Sequence, residues 1–429
     1  MLGAFSGWSR VRLRASKVDP VLMRNRVSRV GGTLVGCFVA AVACAHGAVA
    51  SQVAATKAAL LPSGYLSTRG CQIVDRHGHA VRLACMGGFG TDIVGGRLDY
   101  DNGPYHGVDA NISAVREFGF NCIRVDFNDK NVSDPVLMSQ FDELVAACKK
   151  YGVKVIFDNH NNEATARNWG NAAQQSNGIW FDTGPGSDGT DGAGDKGTIS
   201  DEQFLLDWVV MAKRYAGNTT VIGFDIRNEP WAHYNPRPPV WGGDGPRDIH
   251  AMYERVGAAI QKVDPGALII SEAIINWQTG AYAGDLAPVV ALPVKLSVPA
   301  KVVYSLHEYA WSEVKVSKDL LIPRLNKTWG FLVAGNVAPV WIGEMGTASG
   351  PKDARGIQWD ADLLAYLNGD DGDLGGPVFR GADQPVSADV WRWGCQPETE
   401  DGCMNHAGVI RPEIAAYVDG LLFRPRPVR

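Results

Sequence analysis

Short apolar runs rich in Val and Ile recur along this chain with helical patterns between them, and that rhythm limits the fold more than any other feature. The runs are residues 83–87, 122–127, 153–158, 221–226, 268–271, 302–306, 340–343 and 390–393. Between them, residues 109–118, 135–151, 201–215, 249–263, 318–335 and 360–367 carry the period of helices with one apolar face. Strands alternating with helices predict a parallel sheet, and near-continuous apolar strands predict that helices cover it. Eight such units predict an α/β fold closed as a (β/α)8 TIM barrel, preceded by an N-terminal β-hairpin. One connection breaks the rhythm: residues 161–200, after the third run, lack periodicity and include a Gly/Asp-rich stretch at 184–197. A loop of that length in a compact domain points to function. Its Asp188, Asp191 and Asp195 lack the spacing of an EF-hand calcium loop.

Charge excludes some partners. Residues 1–50 hold seven Lys/Arg and the single acid Asp19, so with −5 for the whole chain, residues 51–429 carry −11. An acidic body argues against nucleic acid, which needs a phosphate-neutralising patch. The basic residues end at Arg29 and precede an apolar run, residues 30–45, and then Ala48-Val49-Ala50. These are the three regions of a signal peptide spanning 1–50, with Met23 an alternative start. The run is too short and Gly-rich for a stable membrane span. The protein is therefore expected to be secreted or periplasmic and monomeric; a lipid anchor at Cys44 is the alternative. A short linker, 51–65, would lead into one catalytic barrel, 66–429.

Export bears on the cysteines. Cys71, Cys85, Cys122, Cys148, Cys395 and Cys403 remain after signal removal, and an oxidising compartment permits disulfides. A hairpin centred on Gly78 would set Cys71 opposite Cys85, and Cys395 and Cys403 would close a short late loop. Cys122 and Cys148 are left either paired or as buried thiols. No Cys-His spacing suits zinc, and neither metal nor cofactor is expected.

In a barrel the loops after the strands form one face, where catalytic residues gather. Polar residues stand at those points: Arg124 and Asp126, Asp158-Asn159-His160, Asn228-Glu229-Pro230, His307-Glu308-Tyr309, Glu344, and Trp391 or Trp393. Glu229 and Glu344, three barrel units apart, face one another across the mouth. Glycoside hydrolysis needs two such carboxyls, one protonating the leaving oxygen and one attacking the anomeric carbon or activating water. Asp158 is expected to brace the strand end near His160. Trp169, Trp180, Phe181 and Asp182 in the long loop either line subsites or anchor the loop.

With Asn121-Cys122-Ile123-Arg124, Phe157-Asp158-Asn159-His160, Asn228-Glu229-Pro230, His307-Glu308-Tyr309, Ile342-Gly343-Glu344 and a late Trp in order, the chain resembles glycoside hydrolase family 5 from about Leu66 to Leu422. The resemblance implies retaining hydrolysis with Glu229 as general acid/base and Glu344 as nucleophile. It implies that Arg124 keeps Glu344 ionised, that His160 and Asn228 bind the −1 sugar, and that His307 and Tyr309 position carboxyls and substrate. Its spacing favours Trp391 over Trp393 as the −1 platform. The expected substrate is a β-linked polysaccharide or oligosaccharide, first an endo-β-1,4-glucanase substrate, then mannan, xylan or a β-glucoside. A non-catalytic carbohydrate-binding barrel is the remote alternative.

Overall fold

The computed structural model of the protein describes residues 61–90, 105–162, 178–190, 196–232, 237–275, 284–309, 317–346, 354–369, 374 and 386–393. The signal segment, Trp169, and the Cys395–Cys403 loop lie outside these residues.

Alternation in the predicted strands places one set of side chains inside the barrel and the other against helices. The parallel strands are β4 (Ala84–Met86), β5 (Cys122–Asn128), β6 (Lys154–Asn161), β7 (Val221–Asp225), β8 (Leu268–Glu272), β9 (Val302–Tyr309), β10 (Val340–Gly346) and β11 (Ser387–Val390). They close as a barrel when β11 pairs with β4, Ala388 opposite Ala84. Inside, Cys85, Cys122, Ile156, Ile222, Leu268, Ile270, Val303 and Trp341 form an apolar lower layer. Before them, β1 (Ser67–Arg69), β2 (Gln72–Val74) and β3 (Ala80–Val81) form a small antiparallel sheet. Leu66 and Ile73 from this region join the same apolar layer and seal that end.

Helices α1 (Gly107–Glu117), α2 (Asp129–Val132), α3 (Pro135–Tyr151), α4 (Asp201–Tyr215), α5 (Ile249–Gln261), α6 (Pro288–Ala291), α7 (Lys318–Leu325), α8 (Phe331–Ala334) and α9 (Ala354–Leu367) follow the strands, with a π-turn, Asn326–Gly330, joining α7 to α8. Their ends follow local chemistry. For α3, Asp134 accepts from the N–H groups of Val136 and Leu137, Pro135 stands in the first turn, and Gly152 ends the helix at φ 71°. Ser200 caps α4 by accepting from Gln203.

Two expectations are corrected. The eighth strand is Ser387–Val390, not 390–393. Its inward positions, Ser387 and Asp389, are polar, so the apolar signal shifted downstream to the two Trp. The Cys71–Cys85 bridge does not form: Cys85 is bonded to Cys122, Cα–Cα 4.2 Å, and Cys71 is a buried free thiol. The hairpin does turn at residues 75–79, but its ladder ends at Val81. The chain then enters β4, where Cys85 is the register partner of Cys122. Cys148 is a buried free thiol, its pKa pushed up by burial.

Candidate active site

Above the apolar layer the interior turns polar. Arg124 on β5 is fully buried at its centre. Its Nε donates to Asp225 Oδ2 (3.0 Å), Nη1 to Glu344 Oε1 (2.7 Å), and Nη2 to Asn228 Oδ1 (2.9 Å) and Glu272 Oε1 (3.1 Å). Nη2 also lies 3.0 Å from Asp158 Oδ1. One guanidinium thus serves four acids, and its own pKa is raised despite burial.

Glu229 follows β7 with φ 45°, a left-handed conformation that costs about 1–2 kcal/mol in a residue with a Cβ. The local hydrogen bonds hold it there: Asn228 N donates to Asn159 O, Glu229 N to Glu272 Oε2 (2.8 Å), and Ile275 N to Pro230 O. Glu344 reaches the interior through a register shift in β10 between Ile342 and Glu344. Gly343 permits this approach, since a Cβ there would stand 2.6 Å from Ser305 Oγ and 3.1 Å from His307 Nε2. His307 is buried between the carboxyls, Nδ1 2.7 Å from Glu229 Oε1 and 3.6 Å from Glu344 Oε2. Tyr309 donates its hydroxyl to Glu344 Oε2 at 2.5 Å. One atom each of Glu229, His307 and Glu344 lie within 4.8 Å of one another. That spacing and donor set would also suit a metal, but the donor atoms are already engaged: Arg124 and Tyr309 donate to the two Glu344 oxygens, and both His307 nitrogens face carboxyl oxygens.

Electrostatics qualify the expected role of Arg124. Burial pushes the Glu344 pKa above the usual carboxylate value, against His307 and then Arg124. Arg124 is shared among four acids, so it offsets burial only in part. Burial alone would lower His160, but Asp158, with Oδ2 2.7 Å from Nδ1, overrides it and lifts the imidazole to about 9. Burial pushes Asp225 and Asp389 well up; both belong to this interior layer.

The two late Trp part company because neither lies within β11. Trp391 is half-buried and stacks on His160, ring centroids 5.4 Å apart and 9° between planes. Trp393 is buried on the helix side, donating Nε1 to Asn111 and stacking on Phe89. The structure therefore gathers Arg124, His160, Asn228, Glu229, His307, Tyr309, Glu344 and Trp391 at one mouth. Glu308 instead turns outward to Arg324 and Trp329. In the long loop, Trp180, Phe181 and Asp182 are buried, Asp182 accepting from Asn162 Nδ2 and Ile199 N. Among the described residues they anchor the loop.

Sequence reasoning missed Glu272, Asp225, Asp389 and Trp231. The fifth run ends at Ser271 and Glu272 follows it, so the rule that picked out the other strand ends would have found Glu272 one residue past the predicted boundary. Trp231 is half-buried and, with Trp391, packs on the buried pair Ile275 and Tyr309.

The comparisons agree with this geometry. The family "Cellulase (glycosyl hydrolase family 5)" matches residues 75–371, a span containing every gathered residue except Trp391. An endoglucanase of Paenibacillus polymyxa is 26% identical over 360 residues, 73% of this chain and 82% of that protein. A beta-xylosidase of Phanerodontia chrysosporium is 25% identical, covering 71% of this chain and 65% of its own length. Among solved structures, a cellotetraose complex of an endocellulase from Pyrococcus horikoshii superposes with TM-score 0.64 at 21% identity, covering 84% of this chain and 99% of that one. The closed barrel, the paired carboxyls at its mouth and the matched span lead to one assignment: the chain belongs to glycosyl hydrolase family 5 and is a glycosidase.

Proposed function

We propose that the protein is an exported, retaining endo-β-1,4-glucanase in which Glu229 is the general acid/base and Glu344 the nucleophile. The observation that carries this reading is the meeting of the two carboxyls within 4.8 Å around His307. Retaining enzymes hold their carboxyls about 5–5.5 Å apart, whereas inverting ones leave room for a water. In the first step Glu344 attacks the anomeric carbon while Glu229 protonates the departing oxygen. Arg124 and Tyr309, each donating to a different Glu344 oxygen, hold the carboxylate in line. In the second step Glu229 takes a proton from water, whose oxygen displaces Glu344. Arg124 fixes the Asn228 amide with its oxygen downward, so its nitrogen serves the −1 sugar beside His160. Trp391 provides that sugar's platform and Trp231, two residues past Glu229, flanks the leaving side.

Proton NMR of the first-formed product tests the stereochemistry: the β-anomer is expected before mutarotation, and the α-anomer would overturn the role of Glu344. Reducing-sugar release from β-glucans, mannans and xylans, with early viscosity loss on soluble cellulose, tests substrate and mode. The similarity to a beta-xylosidase favours a second reading, hydrolysis of another β-linked glycan. Export is supported by the basic-apolar-small order of residues 1–50 and by the Cys85–Cys122 bridge. N-terminal sequencing of exported protein should begin at Ser51; lipidation at Cys44 would replace this reading.

A further inference from the structure

Glu272, the last residue of β8, touches three members of the site at once. Its Oε2 accepts from the Glu229 backbone N–H at 2.8 Å. Its Oε1 accepts from Arg124 Nη2 at 3.1 Å and lies 3.2 Å from His307 Nε2. The other His307 nitrogen, Nδ1, lies 2.7 Å from Glu229 Oε1. Glu272, His307 and Glu229 therefore form a continuous carboxylate–imidazole–carboxyl chain. Where both facing oxygens accept, as they do once Glu229 has given up its proton, the ring is satisfied only when both nitrogens carry protons.

The surroundings agree. Burial favours the neutral ring, but Glu272 and Glu344 outweigh it and raise His307 well above its usual range. The groups facing the ring are Asp225 on β7, Glu229 beyond it, Glu272 on β8, Glu344 on β10, Asp389 on β11 and the Arg124 cation on β5.

We propose that Glu272 is a positioning residue of the hydrolytic reaction, pinning the backbone of Glu229 and holding His307 as a doubly protonated imidazolium that donates to Glu229 in both steps. The proposal rests on the acid/base role assigned above. When Glu229 gives its proton to the departing oxygen, a carboxylate is left 2.7 Å from a cation. When Glu229 later takes a proton from water, that cation is still in place.

Glu272→Gln keeps the side-chain shape and an acceptor for the Glu229 N–H while removing the charge. His307 should then become neutral near pH 7. The variant loses two opposite charges, and the one nearer Glu229 is the imidazolium, so its loss dominates. The alkaline limb of the kcat/KM profile should move up by about one pH unit. A uniform fall in rate with no movement of the limb would mean a merely structural role and would overturn the proposal. Nitrogen-15 NMR of the His307 ring gives a readout without turnover: two protonated nitrogens in the wild type at pH 7, one in the variant. A neutral ring in the wild-type protein overturns the proposal even if the variant fails to fold. Because it needs no substrate, that failure is distinguishable from failure of the hydrolase reading.

Discussion

Arg124 shows how one side chain sets terms for several others. Its charge is divided among Asp158, Asp225, Glu272 and Glu344, so no single carboxyl receives all of it. Burial therefore prevails at Glu344, which, though paired at 2.7 Å, stays above the usual carboxylate value. The acid limb of kcat/KM should accordingly lie above the pH at which an ordinary Glu ionises, and activity should be lost as pH falls through that limb; a pH–rate profile measures it. Glu229→Gln should lower turnover of natural glycans by about 10²- to 10⁴-fold. An activated aryl glycoside, which needs little protonation of its leaving group, should be spared in the first step; equal losses in single-turnover rates would count against Glu229 as the acid. Tyr309→Phe removes one hydrogen bond to a charged group, a contribution of about 1.5–3 kcal/mol, and should cost about 10- to 100-fold in kcat/KM.

At the scale of elements, what was legible followed from alternation. Helices with clear caps, such as Pro135–Tyr151 and Asp201–Tyr215, match their predicted bounds. The strand ends that matter for the site could be read because a core strand has little reason to end in Asn-Glu-Pro. What could not be read depends on contacts between distant segments. The Cys85–Cys122 pairing requires knowing that β4 and β5 are neighbours in register, which no hairpin argument supplies. The displacement of β11 arises because its inward residues are polar in a layer that Arg124 makes polar. Trp391 and Trp393 separate only because the strand stops before both. Peptide mapping without reduction should recover Cys85 linked to Cys122. Replacing Cys122 by Ala should lower stability by about 2–4 kcal/mol, the usual contribution of a native bridge, read as a fall in the urea midpoint. Gly343→Ala would press a methyl group against Ser305 and His307. It should cost about 1–3 kcal/mol from overpacking and move His307 from between the carboxyls, with activity falling more than stability.

At the scale of the whole barrel, an interior rich in buried acids makes stability fall as pH rises, for two separate reasons. His160, raised to about 9 by Asp158, contributes stability that is fully present below its unfolded value, about 6.5, and is lost as pH rises toward 9. Asp389 is raised by burial. In the unfolded chain it ionises near pH 4, so above that pH folding must keep it protonated at increasing cost. Both effects weaken the fold on the alkaline side. Asp389→Asn, a neutral replacement of similar shape, should raise the melting temperature at pH 8 and leave it little changed at pH 4. An equal effect at both values would mean that Asp389 is not held protonated.

The small sheet before the barrel has one more consequence. Leu66 and Ile73 cork the lower end against Cys85, Ile156 and Trp341, so the barrel is a cup with a single rim and not a pipe. A glycan cannot thread through it; it has to lie across the rim, and everything that reacts crosses the same threshold. The severed fragment leaves by the route that the incoming water uses. Until it goes, it blocks that water; once it goes, under the retaining mechanism proposed above, another sugar can take its place and claim the enzyme-bound half. Hydrolysis and sugar-to-sugar transfer should therefore compete for one doorway, with transfer gaining as dissolved oligosaccharide accumulates.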